Sequence, residues 1–87
     1  MATVTKKVWP KFFELLLSGE KQVELRLADF DLAPGDTLVL KEFDPETQAF
    51  TGRKITKTVN RAIKVNPAEM YSLDEIETYG FYLIDFA

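Results

Sequence analysis

Gly19-Glu20-Lys21-Gln22-Val23-Glu24-Leu25-Arg26 is the stretch whose reading decides the fold. On a strand, successive side chains point to opposite faces. Gln22 to Leu27 is therefore read as a second strand, with Val23, Leu25 and Leu27 turned to a core and Gln22, Glu24 and Arg26 projecting from the other face. Lys21 stands at its mouth. Three charged side chains so close together make Lys21, Glu24 and Arg26 the first candidate site. Ion pairs on a solvated strand face are the competing reading.

Upstream, Thr3 to Val8 is rich in β-branched residues and reads as a first strand that Trp9 and Pro10 bring to an end. Pro10 suits the first position of a helix, Phe12, Phe13, Leu15, Leu16 and Leu17 supply helical apolar spacing, and Gly19 offers the left-handed stop. Downstream, Asp29 to Asp36 reads as a loop, because Pro34-Gly35-Asp36 is turn chemistry. Thr37 to Phe43 is a third strand, and Asp44-Pro45-Glu46-Thr47 turns it into an antiparallel arm, Phe50 to Val65. That arm is too long for one flat strand, so a bend or bulge is expected in it. Ser72-Leu73-Asp74-Glu75 fits a capping box opening a short helix. Phe81 to Phe86 reads as a buried closing strand.

These elements predict a small mixed β-barrel of about five strands with two short helices, mainly β or α+β, because closure removes the edges a small sheet leaves unprotected. An open α+β sheet is the alternative. The expected core is Phe12, Leu16, Val23, Leu25, Leu38, Leu40, Ile55, Val59, Ile63, Leu83 and Ile84.

Composition sets the outer limits. The 87 residues are expected to form one domain, residues 1–87, since a chain of this size supports a single core. With 46% hydrophobic and 13% aromatic residues, it can order itself without a metal or disulfide. Cysteine and histidine are both missing from the sequence, which excludes thiolate and imidazole metal sites and any Ser-His or Cys-His nucleophile pair. No cofactor is expected. No apolar run approaches the ~18 residues of a membrane span, and Met1 to Val8 lacks the apolar core of a signal peptide, so the cytoplasm is the expected compartment. The net charge of -3, from 11 basic and 14 acidic residues, argues against a domain that holds long duplex nucleic acid. Basic residues nevertheless concentrate in two segments, Lys6 to Arg26 and Arg53 to Lys64, and would form a basic cleft if the fold brought them together.

A family resemblance adds to this reading. The order Phe12-Phe13, Ser18-Gly19-Glu20-Lys21, Glu24-Leu25-Arg26, Pro34-Gly35-Asp36, Lys41-Glu42-Phe43-Asp44 and Phe50-Thr51-Gly52-Arg53 resembles the ASCH domains of the PUA-like superfamily, specifically their small stand-alone branch of uncharacterised function. The resemblance implies a PUA-like barrel with a cleft between the first helix and the barrel, lined by Lys21, Glu24 and Arg26 and binding RNA or a nucleotide-like small molecule. Some similar proteins are amidohydrolases that deacylate acetylated cytidine, and there a threonine stands where this chain has Glu24. Without that hydroxyl, a binding module is expected rather than an enzyme.

The residue chemistry suits such a ligand: lysine meets a phosphate, arginine offers a planar fork, and glutamate accepts from an exocyclic amine. Trp9 is added as a stacking candidate and Arg53 as a further cation. Nucleotide or RNA binding is thus the leading expectation, ahead of nucleoside amidohydrolysis and of a protein-interaction adaptor.

Overall fold

The computed structural model describes residues 1–82, 84 and 86. Strand β1 (Thr3–Val8) leads through helix α1 (Pro10–Ser18) to β2 (Thr37–Asp44) and β3 (Ala49–Thr58). A single 3-10 turn at Pro67–Glu69 and helix α2 (Leu73–Tyr79) follow. The three strands form one open sheet in the order β1-β2-β3. β1 lies parallel to β2 and β3 returns antiparallel on the other side. A parallel neighbour needs a crossover connection, and α1 with the segment after it provides that connection.

Local chemistry explains where α1 begins and ends. Pro10 occupies its first turn, where no backbone donor is needed, and the Trp9 carbonyl accepts from the N–H groups of Phe12 and Phe13 at 3.1 and 2.9 Å. Gly19 stops the helix at φ 84°, a left-handed conformation that glycine adopts without a Cβ penalty. Phe13 and Leu16, three residues apart, share one helix face and pack with Val8, Leu38 and Leu40 into the core. Val4, Ile55 and Val59 pack around its margin. The α2 start carries the expected capping box, with Ser72 accepting from the Glu75 N–H and the Glu75 side chain from the Ser72 N–H.

Buried Asp36 ties the chain together at the far end of the sheet. Its two carboxylate oxygens accept from the backbone N–H groups of Ala2 and Ala33, each at 2.9 Å, and hold its carboxyl below the usual carboxylate range. The neighbouring Gly35, at φ 90°, donates its N–H to the Val59 carbonyl at 2.8 Å, and Val59 donates back to the Asp36 carbonyl at the same distance. Pro34-Gly35-Asp36 thus fastens the loop to the start of β1 and the end of β3 together.

The closed barrel of five strands is corrected by this architecture, which among the described residues is a three-stranded open sheet with two short helices. Gln22 to Leu27 forms no strand: its anchors are side-chain bonds, and the Arg26 guanidinium caps a β1 carbonyl where a strand would have placed backbone N–H groups. The arm after the hairpin ends at Thr58, because Val59 turns away to the Gly35–Asp36 loop. Of the expected closing strand, Phe81, Tyr82, Ile84 and Phe86 carry no ladder, and Leu83 and Asp85 lie outside the described residues.

The expected core shrinks accordingly. Leu16, Leu38 and Leu40 are buried, but Phe12 yields its place to Phe13, since adjacent helical positions point about 100° apart and only one can face the sheet. Val23, Leu25, Ile63 and Ile84 are exposed.

Candidate functional site

The segment after α1 is phased opposite to its strand reading. Lys21, Glu24 and Arg26 are turned inward and partly buried, whereas Val23, Leu25 and Leu27 are exposed, Leu25 at 61%. Shifting an alternating segment by one residue exchanges its faces. What fixes the phase is charge: the Glu24 carboxylate is divided between two cations, one oxygen paired with Lys21 Nζ and the other accepting from Arg26 Nε at 2.9 Å. Arg26 Nη2 also donates to the Lys7 carbonyl on the β1 edge. At the other end of the segment the Lys21 N–H donates to the Leu15 carbonyl in the last turn of α1, at 3.0 Å. Glu24 therefore orients two cations that are themselves tied to the sheet and the helix.

All three side chains line a cleft of about 1160 Å³ on the α1 side of the sheet, large enough for a nucleotide by the range typical of ligand sites. Leu38, Leu40 and Leu16 form its apolar floor, Lys57 reaches it from the end of β3, and Arg61 and Lys64 reach it from the segment that follows. The two basic segments of the sequence therefore meet here. Among the described residues, five basic ones (Lys21, Arg26, Lys57, Arg61 and Lys64) line the cleft against two acids (Glu24 and Asp31), in a chain whose formal charge is -3.

Trp9 and Arg53 are not among the cleft residues. Trp9 sits exposed at the start of α1. Arg53 belongs to a second cluster built around Glu42, which is only 2% exposed. Arg53 Nε and Nη2 grip the two Glu42 oxygens at 2.9 and 2.7 Å, the Thr51 hydroxyl donates to the same carboxylate, and Arg53 Nη2 reaches Glu14 on α1 as well. The guanidinium lies 4.8 Å from the centroid of the Phe13 ring. Arg53 and Thr51 hold the Glu42 carboxyl below its ordinary value, and Glu42 with Glu14 pushes Arg53 further above its own.

A bulge makes this clamp possible. The ladder passes from the Lys41–Lys54 pair to the Phe43–Phe50 pair, so Thr51, Gly52 and Arg53 together face Glu42. Gly52 at φ 96° turns the chain so that both of its neighbours bond the one carboxylate. Sequence reasoning left Arg53 in a ligand site and passed over Glu42. The available signal was a lone glutamate in phase with Leu38 and Leu40 on the core face, opposite a Thr-Gly-Arg in the returning arm.

Among the described residues, no group of three or more acidic side chains is placed to hold a metal ion, and no helix is long and apolar enough to cross a membrane.

Comparison with known proteins returns little functional information. Residues 5–74 match the family model described as "Domain of unknown function (DUF3850)". The chain is 43% identical over 49 residues to an uncharacterized 12.9 kDa protein in the GpA 3' region of Escherichia phage P2, a match covering 56% of this chain and 43% of the phage protein. The chain thus spans less than half the length of that relative. No solved structure matches significantly.

Proposed function

Because the chain belongs to the DUF3850 family, whose function is not known, its role has to be read from its own chemistry, and we propose that it binds a nucleotide or a short stretch of RNA in the Lys21–Glu24–Arg26 cleft. The observation that carries this reading is the excess of positive charge among the described residues of the cleft in a net-acidic chain, with two of the cations held in place by Glu24. Fixed cations beside an apolar floor match a ligand that presents phosphate at one end and a flat base at the other. Arg26 spends Nε on Glu24 and Nη2 on the Lys7 carbonyl, which leaves its remaining N–H groups, together with Lys21 and Arg61, to meet phosphate oxygens.

The motif that resembles ASCH domains, Gly19-x-Lys21-x-x-Glu24-x-Arg26, is the same motif that lines the cleft, which supports the reading further. Nucleotides and RNA are met in the cytoplasm, the compartment this function implies.

Nuclear magnetic resonance titration with cytidine and uridine monophosphates tests the proposal. Resonances of Lys21, Glu24, Arg26 and Arg61 should shift together, and Lys21→Ala should weaken binding about tenfold to a hundredfold, the value of one charge-assisted bond. Titrations that leave all four signals unmoved would remove the reading.

A further inference from the structure

The sheet has a second face, opposite the cleft, whose composition is unlike the rest of the chain. Strand register sets Lys7 beside Lys41 and Lys41 beside Lys54, so three lysines stand in one row across the three strands. The next rows toward one end are Thr5, Val39 and Thr56, then Thr3, Thr37 and Thr58. Toward the other end, past the bulge, comes the Phe43–Phe50 pair. All these positions share the outward phase of the pleat, while Leu38, Leu40 and Glu42 point to the α1 side. Not one carboxylate stands among them.

Like charges directly opposite on neighbouring strands repel. Lys7, Lys41 and Lys54 are all exposed, and among the described residues none pairs with a carboxylate. Two of them lean on aromatic rings instead: Lys7 Nζ lies 4.3 Å from the Phe43 centroid and Lys41 Nζ lies 5.9 Å from that of Phe50. Phe43 and Phe50 meet edge to face at 5.1 Å, and Phe50 is left 54% exposed.

We infer that this outer face is a docking surface for single-stranded nucleic acid, with the backbone crossing the Lys7–Lys41–Lys54 row and a base stacked on Phe50. Charge complementarity selects a polyanion, since a row of three ammonium groups spans about 10 Å across the strands and meets repeated phosphates better than one small anion. The ring selects a single strand, because unpaired bases can stack on an aromatic side chain and the bases of a duplex cannot. Hydroxyls of Thr5 and Thr56 flank the row and can donate to the same backbone. The surface uses no residue of the cleft, so it stands independently of the nucleotide-binding reading.

The test is fluorescence anisotropy of the full chain with a short labelled oligouridylate over a salt series. With three phosphates neutralised, log K should fall against log salt with a slope of about -2, and Lys7→Gln, Lys41→Gln and Lys54→Gln should each flatten it by about 0.7. Phe50→Ala should weaken binding about fivefold to a hundredfold at constant salt. Lys11→Gln, which makes the same charge change on α1, should leave the slope as it was. Equal loss in Lys11→Gln would mean a diffuse charge effect and overturn the proposal. So would equal binding of an RNA duplex, of poly-glutamate or of anionic phosphatidylserine vesicles, in which case the lysines merely keep an open sheet soluble. If the triple lysine variant binds oligouridylate like the parent while Lys21→Ala does not, the cleft alone binds the strand and the outer face does not.

Discussion

Replacing Glu42 by Gln removes a charge from the sheet without changing the volume of the side chain. In the parent, the carboxylate accepts two bonds from Arg53 at 2.9 and 2.7 Å and a third from Thr51. Glutamine keeps one acceptor oxygen and presents an amide that donates, so at least one Arg53 bond is lost and the other loses its charge assistance. Hydrogen bonds to charged groups contribute about 1.5–3 kcal/mol, and the half-exposed position of Arg53 screens its share, which places the expected loss near 2 kcal/mol. In a urea titration at neutral pH, with a slope of about 1 kcal/mol per molar for a domain this small, the midpoint should fall by about 2 M.

The pH dependence supplies an independent check. Glu42 is held below the ordinary glutamate value of 4.5 in the folded state, so the stability it contributes is complete above that value and is lost as pH falls through the depressed one. The gap between parent and Glu42→Gln should therefore be constant near neutrality and close below about pH 4.5, as the parent's carboxylate becomes neutral too. A gap smaller than about 0.5 kcal/mol at neutral pH, or one that persists undiminished to about pH 2, would refute the clamp.

Three further outcomes follow from the same geometry. Leu40→Ala, at the best-buried aliphatic position, should cost about 2–5 kcal/mol, whereas Leu25→Ala at an exposed one should cost less than about 1 kcal/mol; the reverse order in denaturant titrations would restore the strand reading of residues 22–27. Asp36→Asn can satisfy only one of the two N–H groups of Ala2 and Ala33 with an oxygen, so it should speed amide hydrogen exchange at the free one and flatten the loss of stability in acid, because Asp36 also titrates below its usual range; unchanged exchange at both amides would contradict the tie. If the proposed cleft binds without catalysing, as the glutamate at position 24 suggests, acetylated cytidine should be returned intact after incubation, and release of cytidine that Lys21→Ala abolishes would establish catalysis in the cleft.

Local signals carried much of the fold. Pro10 and Gly19 mark both ends of α1, the Ser72 and Glu75 spacing marks the start of α2, and Asp44-Pro45 marks the hairpin, because each depends on backbone conformations and bonds made within a few residues. The triad Lys21, Glu24 and Arg26 was also legible, as three charges in a short apolar-interleaved run. Its partners Lys57, Arg61 and Lys64 were less so, since exposed basic residues on a returning arm look the same whether they face solvent or a cleft.

By itself, then, the sequence determined which short elements form, what chemistry the chain lacks, and which residues could gather charge. Tertiary structure decided the phase of residues 21–27 and the use of Arg53. An alternating segment is equally consistent with either face turned inward; Lys21 and Arg26 pair with Glu24 locally, and the long-range choice fell to the Lys7 carbonyl, which Arg26 meets only once the segment lies against β1. Arg53 likewise could serve a ligand or a buried glutamate. The register of β2 against β3, and the bulge at Gly52, gave it to Glu42, because a carboxylate on the core face without a cation costs more than an exposed arginine gains elsewhere.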